Sequence, residues 1–159
     1  MTETTDKGTQ EVTPAQAAVD LLGQYRHKVD EKGRVSMPAA FRKVLSSDLV
    51  VTRSPHDDCL YVFEPQGFNN WVAKAFQDKF GGYDSTDPMH VKLRSKLKSR
   101  ANDASIDKVG RIMLPAELRQ KTGIERDVVM VGNTGYFEIW DAKRFDKEDE
   151  EVDLSLLFG

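Results

Sequence analysis

The feature that most constrains the fold of this sequence is an internal repeat. Residues 29–42 align with residues 106–119 at a constant offset of 77, with identical residues at six of fourteen positions. The same offset pairs residues 60–64 with residues 137–141. Two copies are too few for a solenoid, and each copy is too small to bury an adequate core alone. The repeat therefore predicts one interleaved, pseudo-twofold β-barrel.

Each copy opens with residues typical of a tight turn. Asp30 and Gly33 take the first and fourth positions of one four-residue segment, and Asp107 and Gly110 take them in the other. Asp and Gly at these places favour a type I turn closed by a left-handed glycine. We therefore expect a tight hairpin at the start of each copy.

The rest of each copy predicts a short helix and two strands. A proline can begin a helix, so helices are expected at about 38–45 and 115–121, with Gly123 ending the second. Apolar periodicity predicts two connector helices between the copies, at 65–80 and 89–100, and Gly81-Gly82 is expected to end the first of them. The expected inward-facing helix residues are Phe41, Val44, Leu45 and Leu118, and the expected closing strands are 49–52, 60–63, 128–131 and 136–139.

The charge is divided unevenly along the chain. The net charge is −3, but residues 1–20 carry −3 and residues 146–159 carry −5, so the body carries +5. A basic body permits a polyanionic partner, and we expect residues 1–20 and 147–159 to be dispensable for folding. The predicted organisation is a disordered polar tail at 1–21, repeats at 24–67 and 101–144 around a helical connector at 68–100, and a solvated acidic tail at 146–159.

Several classes of protein are disfavoured. No apolar run reaches the roughly 18 residues of a membrane span, and no secretory signal is visible, which together with a single cysteine fits a cytoplasmic protein. The segment His56-Asp57-Asp58-Cys59 has catalytic or metal-binding residue types, but its adjacent side chains should diverge in a loop. We expect no enzyme activity, no small-molecule substrate, no cofactor and no metal.

The two turn arginines admit two interpretations. Arg34 and Arg111 each follow the turn glycine, four residues after an aspartate. An Asp–Arg pair could tie the turn together, or the guanidinium could meet a phosphate or a guanine edge. The two are compatible, since a carboxylate can orient an arginine that also contacts DNA.

The copies are not equally basic. Residues 22–46 carry a net +4 and residues 100–124 a net +2. Strand alternation places Arg26 and Lys28 on one face. The first turn has Lys32 where the second has Val109. We therefore expect the first copy to be the better DNA surface and the second to support assembly. The candidate DNA-binding residues are Arg34, Lys32, Arg26, Lys28, Arg111 and Lys108.

The second connector helix carries a further basic cluster, with no acidic residue between its members. Such a cluster is typical of a solvated face or of one that pairs with the acidic ends, and nonspecific phosphate contact is the alternative. Its members are Lys92, Arg94, Lys96, Lys98 and Arg100.

The motif Gly23-x-Tyr25-x-His27-x-x-Asp30-x-Lys32-Gly33-Arg34-Val35-x-x-Pro38-x-x-Phe41-Arg42 resembles the MraZ family, as does its second copy. The resemblance covers about residues 22–145. It implies a bacterial transcriptional regulator that binds double-stranded DNA through the turn motif. The implied fold is α+β, mainly β, with two SpoVT/AbrB-type modules in a double-split β-barrel. The implied target is the promoter of the division and cell-wall gene cluster that includes its own gene, with a nucleoid location.

The family resemblance also implies assembly into rings. A specific DNA interface typically buries about 1,000–2,500 Å² of protein surface, which is more than one turn supplies. We therefore predict a head-to-tail homo-oligomer larger than a tetramer that grips direct repeats. Because a fold alone does not decide function, the alternative is an antitoxin-like or scaffolding module that acts through protein contacts.

Overall fold

The computed structural model describes residues 18–159. The predicted disordered tail at residues 1–17 lies outside them. The strands are β1 (Gln24–Lys28), β2 (Arg34–Ser36), β3 (Asp48–Arg53), β4 (Leu60–Phe63), β5 (Asn102–Ser105), β6 (Arg111–Met113), β7 (Asp127–Gly132) and β8 (Phe137–Asp141). The helices are α1 (Ala39–Arg42), α2 (Pro65–Phe80), α3 (Pro88–Ser99), α4 (Ala116–Thr122), α5 (Ala142–Glu151) and α6 (Ser155–Phe158).

The strands form two antiparallel sheets. Six strands pair in the order β1-β7-β8-β4-β3-β5, and β2 pairs with β6 in a separate ribbon. The fold is therefore α+β, mainly β, as predicted. Within residues 18–159 the larger sheet ends at β1 and β5, so it is not closed on itself. None of the described helices has the length and apolar character needed to cross a membrane.

The two copies exchange strands. Strand β1 pairs with β7 of the second copy, and β5 pairs with β3 of the first. In the ribbon, β2 lies against β6 with Val35 opposite Ile112. The predicted hairpins are therefore wrong in their pairing: each turn forms, but its flanking strands pair with the other copy. The exchange buries apolar faces that one copy alone would leave in water.

The larger sheet is apolar on both faces. One face packs against the ribbon, and alternate residues on the other pack against α2 and α5. Val35, Ile112 and Phe41 are almost completely buried in the first cluster. Trp140 and Phe145 belong to the second, with ring centroids 5.9 Å apart.

The connector and the second copy's helix follow the sequence closely. Helix α2 ends at Gly81 and α4 at Gly123, both left-handed, so the predicted stops are confirmed. The strands at 60–63 and the buried positions Phe41, Leu45 and Leu118 are also confirmed. Helix α1 ends at Arg42 rather than 45, which leaves Val44 48% exposed, so its predicted inward position is wrong.

The chain joins the fold earlier than predicted. Leu21 is buried, and its N–H donates to the Asn133 carbonyl at 3.1 Å. Asp20 forms a bridge with Thr134. The prediction of a disordered tail as far as residue 21 is therefore wrong for these last residues, because they cover the loop between β7 and β8.

The acidic segment is also more ordered than predicted. Residues 142–151 form α5, so the expected solvated tail is helical in its first part. Asp141 caps the start of this helix, and its carboxylate accepts the Arg144 N–H. Phe145 anchors it on the sheet, an apolar contact that lies just outside the acidic run.

Candidate nucleic-acid interface

Asp30 organises the first turn. Its Oδ1 accepts the N–H groups of Lys32 and Arg34, both at 2.9 Å, and its Oδ2 accepts Arg34 Nε at 2.8 Å. The Gly33 N–H closes the turn on the Asp30 carbonyl at 3.0 Å, with Gly33 at a φ of +87° that favours glycine. One carboxylate thus shapes the turn and fixes the plane of the guanidinium.

The second turn repeats this geometry. Asp107 accepts the N–H groups of Val109 at 3.0 Å and Arg111 at 2.8 Å, and Arg111 Nε at 3.0 Å. Gly110 has a φ of +83°. The expected Asp–Arg pair is thus confirmed in both copies. Within residues 18–159, the arginine of each turn donates to the aspartate only from its own backbone N–H and its Nε. About a third of each arginine side chain is exposed.

The turn carboxylates are held in their charged form. The backbone N–H of Arg34 is the main cause that lowers the pKa of Asp30, and that of Arg111 does the same for Asp107. Because hydrogen bonds to the ionised form favour it, both carboxylates stay charged at neutral pH. The arginine planes are therefore fixed before any ligand arrives.

Each turn is covered by an arginine from the other copy. The Leu114 N–H donates to the Gly33 carbonyl at 2.8 Å, and Arg119 Nε donates to the Leu114 carbonyl at 3.1 Å. A Cβ on Gly33 would lie 2.9 Å from Arg119 Nη2. At the other turn, Arg42 lies equally close to Gly110. The strand exchange thus makes both sites composite.

We call the open groove at the first turn the first turn site. It has a volume of about 650 Å³. Its charged lining consists of the cations Lys28, Lys32, Arg34, Arg119 and Arg126 and the acids Asp30, Glu31 and Glu125. Arg119 and Arg126 come from the second copy and were not among the predicted site residues. The repeat alignment pairs Arg42 with Arg119, but it gives no indication of which turn each would cover.

The second turn site is defined by the matching positions. The hydrogen bond from the Val29 N–H to the Arg126 carbonyl, 2.8 Å, is matched by that from Ile106 to Ser47, 2.9 Å. Ser47 therefore stands in the place of Arg126. The second turn site loses two lysines, since Lys28 is matched by Ser105 and Lys32 by Val109. It also loses two acids, since Glu31 is matched by Lys108 and Glu125 by Ser46. The charged residues of the second turn site are Arg42, Lys108, Arg111 and Asp107.

Counting by site changes the predicted charge asymmetry. Counted along the chain, the copies carry +4 and +2, but each composite site carries a net +2. The sites differ in the number of cations, five in the first and three in the second. They lie at opposite ends of the ribbon, since Arg34 pairs with Met113 and Arg111 with Ser36.

Two predicted DNA-binding residues lie on β1 beside the first turn. Arg26 and Lys28 are both exposed, in agreement with their predicted shared face. Arg26 donates to Asp146 of α5 at 2.6 Å, and this hydrogen bond is the main cause that lowers the pKa of the Asp146 carboxyl. Lys28 lies 3.8 Å from Asp127. The acidic helix thus reaches a side chain predicted to bind DNA.

The cluster at residues 56–59 is a loop, as predicted. The N–H groups of His56 and Asp57 donate to Ser54 Oγ at 3.1 Å, whereas Asp58 turns to Arg53 at 3.0 Å. Cys59 is fully buried, and burial raises the pKa of its thiol. Over residues 18–159, no three or more His, Cys, Asp or Glu side chains are grouped so that they could hold a metal ion.

The chain matches a known protein family across both copies of the repeat. The model of the family described as "MraZ protein, putative antitoxin-like" matches residues 21–85 and 97–156. The chain belongs to the MraZ family. A Limosilactobacillus fermentum relative named transcriptional regulator MraZ is 40% identical over 125 residues, 79% of this chain and 83% of the relative. Its namesake in Lachnoclostridium phytofermentans is 33% identical over 144 residues, 87% of this chain and 97% of the relative.

Proposed function

We propose that this chain is a sequence-specific, DNA-binding transcriptional regulator. The observation that carries the proposal is the first turn site, where four further cationic side chains surround Arg34, whose guanidinium is held in plane by Asp30. The names of the curated MraZ relatives agree with it. A regulator needs both phosphate contacts for affinity and base contacts for specificity, and the site offers groups for each.

Arg34 is the proposed base-reading residue. Asp30 holds its Nε, which leaves the terminal amino groups to donate to a guanine edge or to a phosphate. Lys32 and Lys28 supply phosphate contacts at the first turn site. Arg111 and Lys108 form the weaker surface at the second turn site. We add Arg119 and Arg126 to the first turn site, and Arg26 as a flanking contact.

The proposed target and architecture extend this assignment. We propose that the two sheets form a double-split β-barrel and that the barrels assemble into a ring larger than a tetramer in the cytoplasm, at the nucleoid. Such a ring would present its first turn sites side by side, so that several of them bind short direct repeats of DNA sequence at once. The proposed target is the promoter of the division and cell-wall gene cluster, upstream of the chain's own gene.

A gel shift tests the proposal. The wild-type chain is titrated with its own upstream region and with a scrambled duplex of equal length, at several salt concentrations. We expect a specific complex whose affinity falls steeply with salt, since cations that contact phosphates release counterions. Equal affinity for both duplexes would contradict sequence-specific binding.

An antitoxin-like role is the second candidate, because the family description itself contains that term. In that role the chain would act through protein contacts rather than DNA readout. The absence of any shift with the upstream region at low salt, together with stable capture of a protein partner by the Arg34→Ala variant, would favour it. A specific shift abolished by Arg34→Ala would favour the regulator.

A further inference from the structure

The last described residues carry apolar side chains that the rest of residues 18–159 leaves uncovered. After α5, the chain continues through residues 152–159, which include the short helix α6. The large apolar side chains of residues 152–159 are between 65% and 90% exposed; they are Val152, Leu154, Leu156, Leu157 and Phe158. Contiguous exposed apolar groups mark interaction sites. We call residues 152–159 the apolar end.

The apolar end is attached to the most acidic part of the chain. Residues 146–159 contain six acidic residues and one basic residue, a net charge of −5. Of these acids, Asp146 pairs with Arg26, while Glu150, Glu151 and Asp153 lie exposed beside the apolar end. The surface that receives it should therefore combine apolar contact with positive charge.

One helix of the same chain has that combination. Five residues of α3 and its cap recur at the spacing of a single helical face and are all exposed; they are Met89, Lys92, Leu93, Lys96 and Arg100. Residues 88–100 include no acidic residue and five basic ones. We call this set the outer face of α3.

The opposite side of α3 packs against aromatic residues of the same chain. His90 is buried against the Phe76 and Phe80 rings of α2, and the Arg94 guanidinium lies 3.7 Å from the centre of the Tyr83 ring. Leu97 packs against the aromatic cluster on the sheet. The helix is thus fixed by one side and presents the outer face to solvent, with Met89 58% and Leu93 39% exposed.

We propose that the apolar end of one copy docks on the outer face of α3 of a second copy. Apolar side chains would cover Met89 and Leu93, and the acids around residue 150 would pair with Lys92, Lys96 and Arg100. Because the two surfaces differ, a docked pair still has one apolar end and one outer face free. The contact therefore propagates head to tail until a ring closes. The inference rests on the self-assembly proposed above and names its contact.

Light scattering on the purified full chain and its variants tests the contact. We expect the wild type to have a multiple of the 18.0 kDa chain mass. A chain ending at Glu151, or one with Leu93→Asp, should fall at least twofold in mass with an unchanged circular dichroism spectrum. Val44→Asp, which changes another exposed apolar residue, and Ser155→Asp, which adds charge to the apolar end, should keep the wild-type mass.

Cross-linking shows whether the contact joins two copies. A Leu93→Cys chain is mixed under oxidising conditions with a Leu157→Cys chain that carries a tag of different size. Any disulfide between the two is intermolecular by design, and we expect it to form much faster than in a control mixture of Lys121→Cys with Leu157→Cys. Lys121 lies on α4 and takes no part in the outer face.

The outcomes separate the proposals. Wild-type mass in the chain ending at Glu151, or equal cross-linking in both mixtures, would overturn the docking contact and leave assembly intact. A wild-type chain that stays at 18.0 kDa at every concentration would overturn assembly and docking together. The gel shift with the upstream region reports on DNA binding independently of both.

Discussion

The two turn sites share one backbone geometry and differ in the charged side chains that surround it. Each has an aspartate that fixes an arginine through Nε, a left-handed glycine, and an arginine from the other copy's helix. Their net charges are equal, yet only the first has Lys28, Lys32 and Arg126. Net charge therefore does not distinguish the two sites. They differ in the number of cations that each presents, five in the first and three in the second.

The largest expected effect comes from Arg34→Ala compared with Arg111→Ala. Arg34→Ala should abolish specific binding to the upstream DNA, and Arg111→Ala should weaken it less. Removing a base-reading side chain costs about 1–3 kcal/mol per site, and the cost multiplies when several copies bind together. Fluorescence anisotropy measures it, with circular dichroism to show an intact fold. Equal reductions in affinity, or a larger reduction from Arg111→Ala, would reverse the assignment of the two sites.

The next effect comes from removing the three cations that only the first turn site has. The triple variant Lys28→Ser, Lys32→Val and Arg126→Ser replaces each of them with the residue at the matching position of the second site. The slope of log affinity against log salt should become shallower by about 0.9 for each phosphate that the protein no longer neutralises. The matched control is the reverse exchange, Ser105→Lys, Val109→Lys and Ser47→Arg. It should steepen the slope, and two unchanged slopes would show that these cations do not bind DNA.

A smaller effect is expected on stability, from Gly33→Ala compared with Gly110→Ala. Both glycines have positive φ values, and holding another residue there costs about 1–3 kcal/mol of unfolding free energy. Gly33→Ala should cost more, because its Cβ would also lie 3.1 Å from the Leu114 carbonyl oxygen. At Gly110 the three nearest atoms all belong to the flexible Arg42 side chain. Urea unfolding of both variants gives the comparison, and a greater destabilisation at Gly110 would contradict it.

The smallest effect is expected from Asp146→Asn. Arg26 pairs with Asp146. The residue that matches Arg26 in the second copy is Asp103, which cannot form such a pair, so the contact belongs to the first copy alone. Neutralising Asp146 should free Arg26 for a phosphate and raise DNA affinity slightly, with a somewhat steeper salt slope. Asp149→Asn, the same charge change farther along α5, is the control. If both variants raise affinity equally, the effect comes from overall charge rather than from Arg26.

The local geometry of the site was predictable, because it depends on neighbours in the sequence. Asp30 and Gly33 determine the turn through hydrogen bonds that span only four residues, so the turn and the Asp–Arg pair followed from residue types. Helix α2 followed equally well from its apolar spacing and from the glycine that ends it.

The composite character of the site was not predictable in the same way. Strands as short as β2 and β6 have little pairing preference of their own, and packing across the whole core decides their partners. The arrival of Arg119 and Arg126 at the first turn depends on that choice. The same limit applies to Val44: the early end of α1 exposes it, although its spacing from Phe41 and Leu45 fits a helix face.

The exchange of strands also governs when the protein can become active during its synthesis. Strand β7 is made roughly a hundred residues after its partner β1, a delay of about 5–20 seconds at typical rates of about 5–20 residues per second. Arg119 and Arg126 arrive just before β7. A nascent or prematurely terminated chain therefore lacks a complete first turn site, even when its first copy is intact. The DNA binding proposed for this site therefore requires that synthesis has passed residue 126.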